Sequence, residues 1–510
     1  MDSALSTAAL IGIGFALIYA VAMTLLASQG LHLLWMLLRW TRHRRAAYAI
    51  EAAELTAPLP PDHELPQVLV QIPVFNERDM VEGVLQAVAA LDWPRDRLSI
   101  QLLDDSTDDS IEVGRAAIAR LQAEGVDAQW LHRADRVGFK AGALAAGMEA
   151  NAAPFIAIFD ADFLPEADFL RRAIKPLLTD AGLALVQGRW EHLNRRQNRI
   201  TCAQAVGIDA HFAIEQSARA WSGLAMNFNG TCGLWRRQAI IDGGGWEHDT
   251  LTEDMDLSYR VQLAGWRCTY RVGLAVPGEL PHTLPAFMQQ QFRWAKGSIQ
   301  TARKLLGRIW RSDWGFDRKL ASTMHLCHYL VHPLMLIAMF SAPPAVWLTP
   351  ALPVWMWWAG AAIFLIGAGA PILTYIVGQF ALSRGNWTLL LDIPRIAALG
   401  TGIAINNARA CFEALRGKVS PFQRTPKGKS ARSVYRIGAR LGLWELLAGC
   451  WAAAGILIAT FSDRSWIAPV LLIYANGLLS VGSMLCAAWI SERLRRPAAP
   501  EALLASETPS

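Results

Sequence analysis

Sixty-four consecutive residues, 320–383, contain no Asp, Glu, Lys or Arg. A helix needs about 20 mostly apolar residues to cross a ~30 Å hydrocarbon core. The block therefore holds two crossings, with Pro343, Pro344, Pro350 and Pro353 marking the turn between them. A second charge-free run covers 465–490. The chain is expected to be an integral membrane protein. Segment Ala4–Leu38 is a further crossing; a signal peptide fits poorly, because no basic region precedes it and the apolar stretch is too long. Arg39, Arg42, Arg44 and Arg45 follow it, which places the exit from this first span on the cytoplasmic side. With spans near 321–345, 354–381, 441–461 and 466–490, five crossings satisfy every basic cluster. The N-terminus is then outside, and Arg493, Arg495 and Arg496 hold the C-terminus inside.

The net charge of +5 lies mostly in loops beside these spans, so it reports topology and gives no reason to expect a nucleic-acid partner. The seven cysteines form no CxxC pair, which argues against a disulfide frame or a zinc ribbon. Segment 387–417 is apolar but interrupted by Asp392, Arg395, Arg409 and Glu413; its longest charge-free run, Ile396–Ala408, is too short to cross. It is expected to lie at the interface. The basic stretch 302–319 suits an amphipathic helix on the inner leaflet, with a solvated linker as the alternative.

Residues 46–300 read differently. VLVQIPVF (68–75), LSIQLLDD (98–105), FIAIFD (155–160) and LALVQG (183–188) have the composition of buried strands. Between them, DMVEGVLQAVAALD and AGALAAGMEA carry helical spacing. Alternating strands and helices predict a mostly parallel sheet with helices on both faces. Ligands bind beyond the carboxyl ends of such strands. The chain thus divides into a first span with its basic flank (1–45), a soluble α/β domain (46–300) and a basic helix (301–319). A span hairpin (320–383), an interfacial helix with a basic loop (384–440), a second hairpin (441–492) and a disordered polar tail (493–510) complete it.

Acids collect at those strand ends: Asp104 and Asp105 in DDSTDDS, Asp160 and Asp162 in DAD, Glu253 and Asp254 in TED, and Glu77 in PVFNE. An EF-hand would need Gly at position 6 and Glu at position 12 of its loop, and DDSTDDS offers neither. No GxxxxGK[ST], GxGxxG after a strand, HExxH or GxSxG is present, which removes the easy readings as ATPase, dinucleotide enzyme, zincin or serine hydrolase. Hard carboxylate oxygens suit Mg²⁺ or Mn²⁺ holding a diphosphate.

The motifs PVFNE, DDS, GFKAG, DAD, FNGTCGLWRR, TEDMDLSYR, QQQFRW and FQRTPK occur in that order over nearly the whole chain. Together they resemble the processive glycosyltransferases of family 2, inverting enzymes with a nucleotide-sugar (GT-A) fold. The wording is closest to the cellulose-synthase-like group A, the glucomannan and mannan synthases, and its bacterial relatives. The resemblance implies a GT-A domain embedded in an α-helical membrane protein. It assigns the nucleotide to Asp104 and Asp105, the donor to Lys140, Asp160, Gln290 and Arg293, and the metal to Asp160 and Asp162. Asp254, beside Glu253, becomes the general base. The acceptor falls to Asn229, Gly230, Thr231, Cys232 and Trp294, and a gating loop to Phe422, Thr425 and Lys427. Arg424 and Pro426 stand in that loop's variable or valine slots, so donor capping carries over less directly than the chemistry.

The implied partners are a nucleotide sugar (UDP-glucose or GDP-mannose), a growing polysaccharide and the bilayer. The implied product is a β-linked hexose polymer, made on the cytoplasmic face of an inner or plasma membrane and exported. Two alternatives stand beside it: a non-processive enzyme making a glycolipid, and a transporter or scaffold with a dead catalytic domain. His325, His328 and His332 are expected on one helix face within the second span. Those histidines and Glu445 read as satisfied polar groups of a pore or bundle interior.

Overall fold

The computed structural model describes residues 6–349, 354–385, 388–418, 439–462 and 464–495. Five of its helices are long and apolar enough to cross a membrane: Thr7–Thr56, His328–Leu348, Trp358–Ala381, Gly442–Phe461 and Ala468–Ser491. These match the five crossings expected from the sequence.

The α/β domain is built on one seven-stranded sheet: β1 (Val68–Val74), β2 (Leu98–Asp104), β3 (Ala128–His132), β4 (Phe155–Ile158), β5 (Leu183–His192), β6 (Gly233–Arg236) and β7 (Arg267–Gly278), in the order β3-β2-β1-β4-β6-β5-β7. All pairs are parallel except those of β6, which runs antiparallel to β4 and β5. Periodicity located β1, β2, β4 and β5. It missed β3 and β7, which are amphipathic and part-exposed, and β6, which lies hidden in a motif read only as a loop.

Every residue of β1 is buried, as a central parallel strand requires. Val68, Val70, Ile72 and Val74 face one core with the helices Arg78–Ala89, Ser110–Ala123 and Phe169–Thr179. Leu69 faces the other, with Phe139–Glu149 and Glu253–Leu263. The chain runs outward from β1 through β2 to β3, then returns to place β4 on the other side of β1, so the topological switch point lies between β1 and β4. Their ladder ends at Gln71↔Ile158, just before Pro73, which has no N–H to continue it. The strands part there, and a crevice opens.

The helix Thr7–Thr56 leaves the candidate membrane region and docks on the sheet edge. Arg271 forks the Glu54 carboxylate at 2.6 Å on both oxygens, and Glu51 accepts the Gly273 N–H at 2.8 Å. Two expectations change. The basic stretch expected to begin a new helix at 301 is the end of one continuous helix, Leu284–Arg311. Its Lys304 turns to protein, pairing with Glu247 at 2.5 Å, Asp249 at 2.7 Å and Asp256 at 3.0 Å. His325, His328 and His332 do not share one helix either: Phe316–Leu326 ends at Cys327, and a short 3₁₀ turn precedes Val331–Leu348. They are nonetheless polar groups with partners, His325 Nδ1 meeting the Tyr259 hydroxyl at 2.8 Å and His332 Nε2 meeting Asn407 at 2.9 Å. Glu445 differs: it is fully buried, and neither carboxylate oxygen has a hydrogen-bond partner among the described residues.

Segment 387–417 forms two helices, Leu389–Gly402 and Ala404–Leu415, and neither is among the five candidate crossings. The first packs on Ala468–Arg495, where Gly477 and Gly402 permit contact too close for side chains; the second packs on Leu284–Arg311.

Candidate active site

A cavity opens at the switch point, and most of the acids singled out in the sequence line it. At its outer end Asp104 and Asp105, adjacent in sequence, point apart. Asp104 is 1% exposed; it accepts the Trp130 indole N–H at 3.0 Å and the Ser106 N–H at 2.9 Å, tying β2 to β3 away from the cavity. Asp105 lines the cavity, gripped by Arg133 through Nε at 2.8 Å and Nη2 at 2.6 Å. The guanidinium of Arg136 lies 3.3 Å from the Phe75 ring centroid, beside Asp105. Neither arginine was singled out in the sequence. The string HRADRVGFK carries them, but nothing in its spacing says which of them turns inward.

In the centre, Asp160 and Asp162 follow β4 and line the cavity. The Asp160 N–H donates to Thr231 Oγ1 at 2.9 Å, which fixes the turn. Lys140, on Phe139–Glu149, pairs with Asp160 and donates to the Gly230 carbonyl at 2.9 Å. Burial alone would lower the Lys140 ammonium, but Asp160, Glu253 and Asp254 outweigh it and hold the group raised.

Asp254 stands in the first turn of Glu253–Leu263, and its carboxylate accepts the Met255 N–H at 2.7 Å. Burial and the neighbouring Glu253 charge push its carboxyl up to about 7. Glu253, 9% exposed, is likewise raised, by burial first. Gly230 faces this carboxylate at φ +84°; a Cβ there would sit 3.0 Å from Asp254 Oδ2. Only glycine combines that conformation with that approach.

The helix Leu284–Arg311 is clamped to the same turn. Gly297 lets it approach so closely that a Cβ would meet Thr252 Cγ2 at 2.5 Å, and Gln300 Oε1 accepts the Leu251 N–H at 3.0 Å. This contact presents Gln290, Arg293 and Trp294, at i, i+3 and i+4, to the cavity. Arg293 lies among Glu253, Asp160 and Asp254; burial lowers its guanidinium while those acids oppose the shift. Gln290 Oε1 is buried with no hydrogen-bond partner among the described residues, the state expected of a group whose partner is a ligand. Trp294 lies 6.3 Å from Trp190, which also touches Phe163 and Phe212, so aromatic faces form the far wall.

Of the four residues assigned to the acceptor loop, Asn229 and Gly230 line the cavity, while Thr231 and Cys232 do not. Thr231 is the acceptor for Asp160. Cys232 stands just before β6, and its thiol is buried in the core, where burial pushes it well above its usual value. Phe422, Thr425 and Lys427 lie outside the described residues. One further carboxylate set could hold a cation, Glu247, Asp249 and Asp256, but it lies off the cavity and already surrounds the Lys304 ammonium.

A mostly parallel sheet with carboxylates at its switch point, a lysine among them and tryptophans lining the same cavity is the arrangement of a GT-A glycosyltransferase. The family model described as Glycosyltransferase like family 2 matches residues 66–297. Glucomannan 4-beta-mannosyltransferase 9 of Arabidopsis thaliana is 34% identical over 409 residues, 76% of each chain. Glucomannan 4-beta-mannosyltransferase 2 of the same plant is 42% identical over 264 residues, which is 50% of this chain and 49% of that protein. A solved mannosyltransferase from Pyrobaculum calidifontis, in complex with GDP-Man and Mn²⁺, shares the fold at 19% identity and a TM-score of 0.53, covering 79% of this chain and all of that one. The chain belongs to glycosyltransferase family 2 and is a hexosyltransferase, with the glucomannan 4-beta-mannosyltransferases among its relatives. Some of these alignments span only about half of the relative's length.

Proposed function

We propose that this protein transfers mannosyl units from GDP-mannose to the end of a growing β-linked mannan or glucomannan, from the cytoplasmic side of a membrane, and exports the chain. The observation that carries the reading is the placement of Asp254. It shares one cavity with a cationic and acidic set suited to a nucleoside diphosphate (Lys140, Asp160, Asp162, Arg293) and with two tryptophans suited to a sugar ring (Trp294, Trp190). The names of the relatives and the ligand of the Pyrobaculum structure favour GDP-mannose over UDP-glucose.

In the inverting step, the acceptor hydroxyl gives its proton to Asp254 as its oxygen bonds to the anomeric carbon. The bond from that carbon to the diphosphate oxygen breaks, and the nucleoside diphosphate leaves. Lys140 and Arg293 stabilise the charge building on it, through charge-assisted hydrogen bonds. Gln290 supplies an unsatisfied acceptor for a donor or acceptor hydroxyl. The hard oxygens of Asp160 and Asp162 fit a divalent cation, Mg²⁺ or Mn²⁺, and Lys140 paired with Asp160 shows that this spot attracts positive charge. Such a cation neutralises diphosphate charge. Asp105, with Arg133 and Arg136, lies where a base and ribose are expected.

The test uses the full chain in lipid nanodiscs with Mn²⁺ and labelled GDP-mannose or UDP-glucose. Nucleotide release is followed with label in precipitable polymer and in lipid extract. Mannose in polymer, reduced about 10²–10⁴-fold by Asp254→Asn, supports the proposal. Label in the lipid phase would transfer the reading to a glycolipid enzyme, and no release from either donor would leave a scaffold.

A further inference from the structure

The aromatic wall continues into a carboxylate that no role above uses. At Gly188/Arg189 the register between β5 and β7 jumps: Gly188 opposes Arg271, but Arg189 opposes Ala275. Bulges of this kind re-aim side chains beside active sites. Gly188 permits it, since a Cβ there would lie 2.7 Å from the Leu274 carbonyl. Beyond the bulge, Trp190 and Glu191 line the cavity on the side of Trp294.

Glu191 is held from three directions. Its Oε2 accepts Arg189 Nη1 at 2.9 Å and Nη2 of Arg384, and its Oε1 accepts the His192 N–H at 3.1 Å. Its side chain stays 26% exposed, and Oε1 keeps capacity for another donor. Burial would raise the carboxyl, but Arg189 and Arg384 outweigh it and hold it lowered, so the group stays an acceptor of hydroxyl protons at neutral pH.

Arg384 follows the candidate crossing Trp358–Ala381, and its other arm reaches Asp209 at 2.7 Å. Asp209 is fully buried and also accepts His192 Nε2 at 3.0 Å, Arg195, and Gln379 Nε2 at 2.8 Å from within that crossing. A buried charge cluster of this size is weak support for stability, because desolvation offsets its attraction. What it does supply is geometry: the rim of the cavity is tied to a membrane helix through one guanidinium.

We propose that Trp190 and Glu191 form a subsite for an acceptor hexose next to the one on Trp294, the indole taking the apolar ring face and the carboxylate the hydroxyls, and that Arg384 is the positioning residue that aims Glu191. The inference deepens the proposed function and rests on it. In nanodiscs, kinetics would be measured with GDP-mannose and manno-oligosaccharides of two to six units as acceptors. Glu191→Gln, which conserves shape, is expected to raise the acceptor KM about tenfold or more while the donor KM holds. Arg384→Ala should reproduce that shift, add little to it in the double variant, and be partly rescued by Arg384→Lys. An acceptor KM unchanged in Glu191→Gln overturns the subsite. Equal changes in donor KM, kcat and Tm in Arg384→Ala, without a selective acceptor effect, overturn the positioning role. Should the unmodified protein transfer no mannose, tryptophan fluorescence titration with mannohexaose still decides: binding weakened in Glu191→Gln sustains the subsite, and equal or absent binding sinks it.

Discussion

Gly230 packs against the Asp254 carboxylate at a positive φ, and Gly230→Ala probes that contact. Two costs arise. An L-residue at φ +84° is strained by about 1–2 kcal/mol. In addition, the new Cβ would lie 3.0 Å from Asp254 Oδ2, where 3.4 Å begins ordinary contact, so the loop or the carboxylate must yield by the difference, 0.4 Å. A displacement of 1 Å at a reacting group can cost 10²-fold in rate, so 0.4 Å is expected to cost about tenfold in kcat. The strain alone should lower Tm by only a few degrees.

Gly125→Ala separates the two costs. Its φ is +76°, nothing lies within 4 Å of its Cβ position, and it stands just past the end of Ser110–Ala123. It should lose the same Tm and none of the activity. The assays are GDP release under saturating donor and thermal melts of both variants. Gly230→Ala with full kcat would refute the reasoning, as would equal loss of activity in both variants, since strain and not the Asp254 contact would then be responsible.

Because the Asp254 carboxyl stands at about 7, kcat/KM should fall as pH drops through 7 and the base takes up its proton. Stability should move the other way. The folded chain keeps a proton on Asp254 that the unfolded chain releases near pH 4, so the stability linked to that proton is complete below about 4 and lost as pH rises through 7; melts from pH 4 to 8 check the sign. Lys140→Met removes the ammonium that opposes both raised carboxyls, and should move the acid limb of the pH–rate profile upward. Thr231→Val leaves the Asp160 N–H without its acceptor and is expected to cost about 1–3 kcal/mol by denaturant or thermal unfolding. Removing divalent cations with EDTA should suppress GDP release, with Mg²⁺ and Mn²⁺ compared in the add-back.

Much of this architecture was legible in the chain because it depends on local physics. Exclusion of charge over 20 or more residues reports a membrane crossing wherever the segment ends up, and four of the five candidate helices follow from it; the fifth, Gly442–Phe461, contains Glu445 and was read from its apolar composition. Buried parallel strands are continuous apolar runs, so β1, β2 and β4 could be read, along with the carboxylates that mark their ends. Gln290, Arg293 and Trp294 were named by the resemblance carried in QQQFRW, and not by spacing.

What tertiary structure alone decided depends on partners distant in sequence. Asp104 and Asp105 are chemically identical neighbours; only the pairing of β2 with β3 sends one to Trp130 and the other to the cavity. Thr231 and Cys232 read as acceptor residues until β6 is threaded antiparallel between β4 and β5, which turns one into a brace for Asp160 and buries the other. Lys304 looked like a lipid-facing cation and proves to pair with three carboxylates from another loop and helix. Glu191 carried no signal at all, since its meaning comes from a bulge in β5–β7 and from an arginine 193 positions away. Periodicity encodes which face of an element is buried, but the identity of the group that meets a buried charge is set by register and packing, and neither is written in any local stretch of sequence.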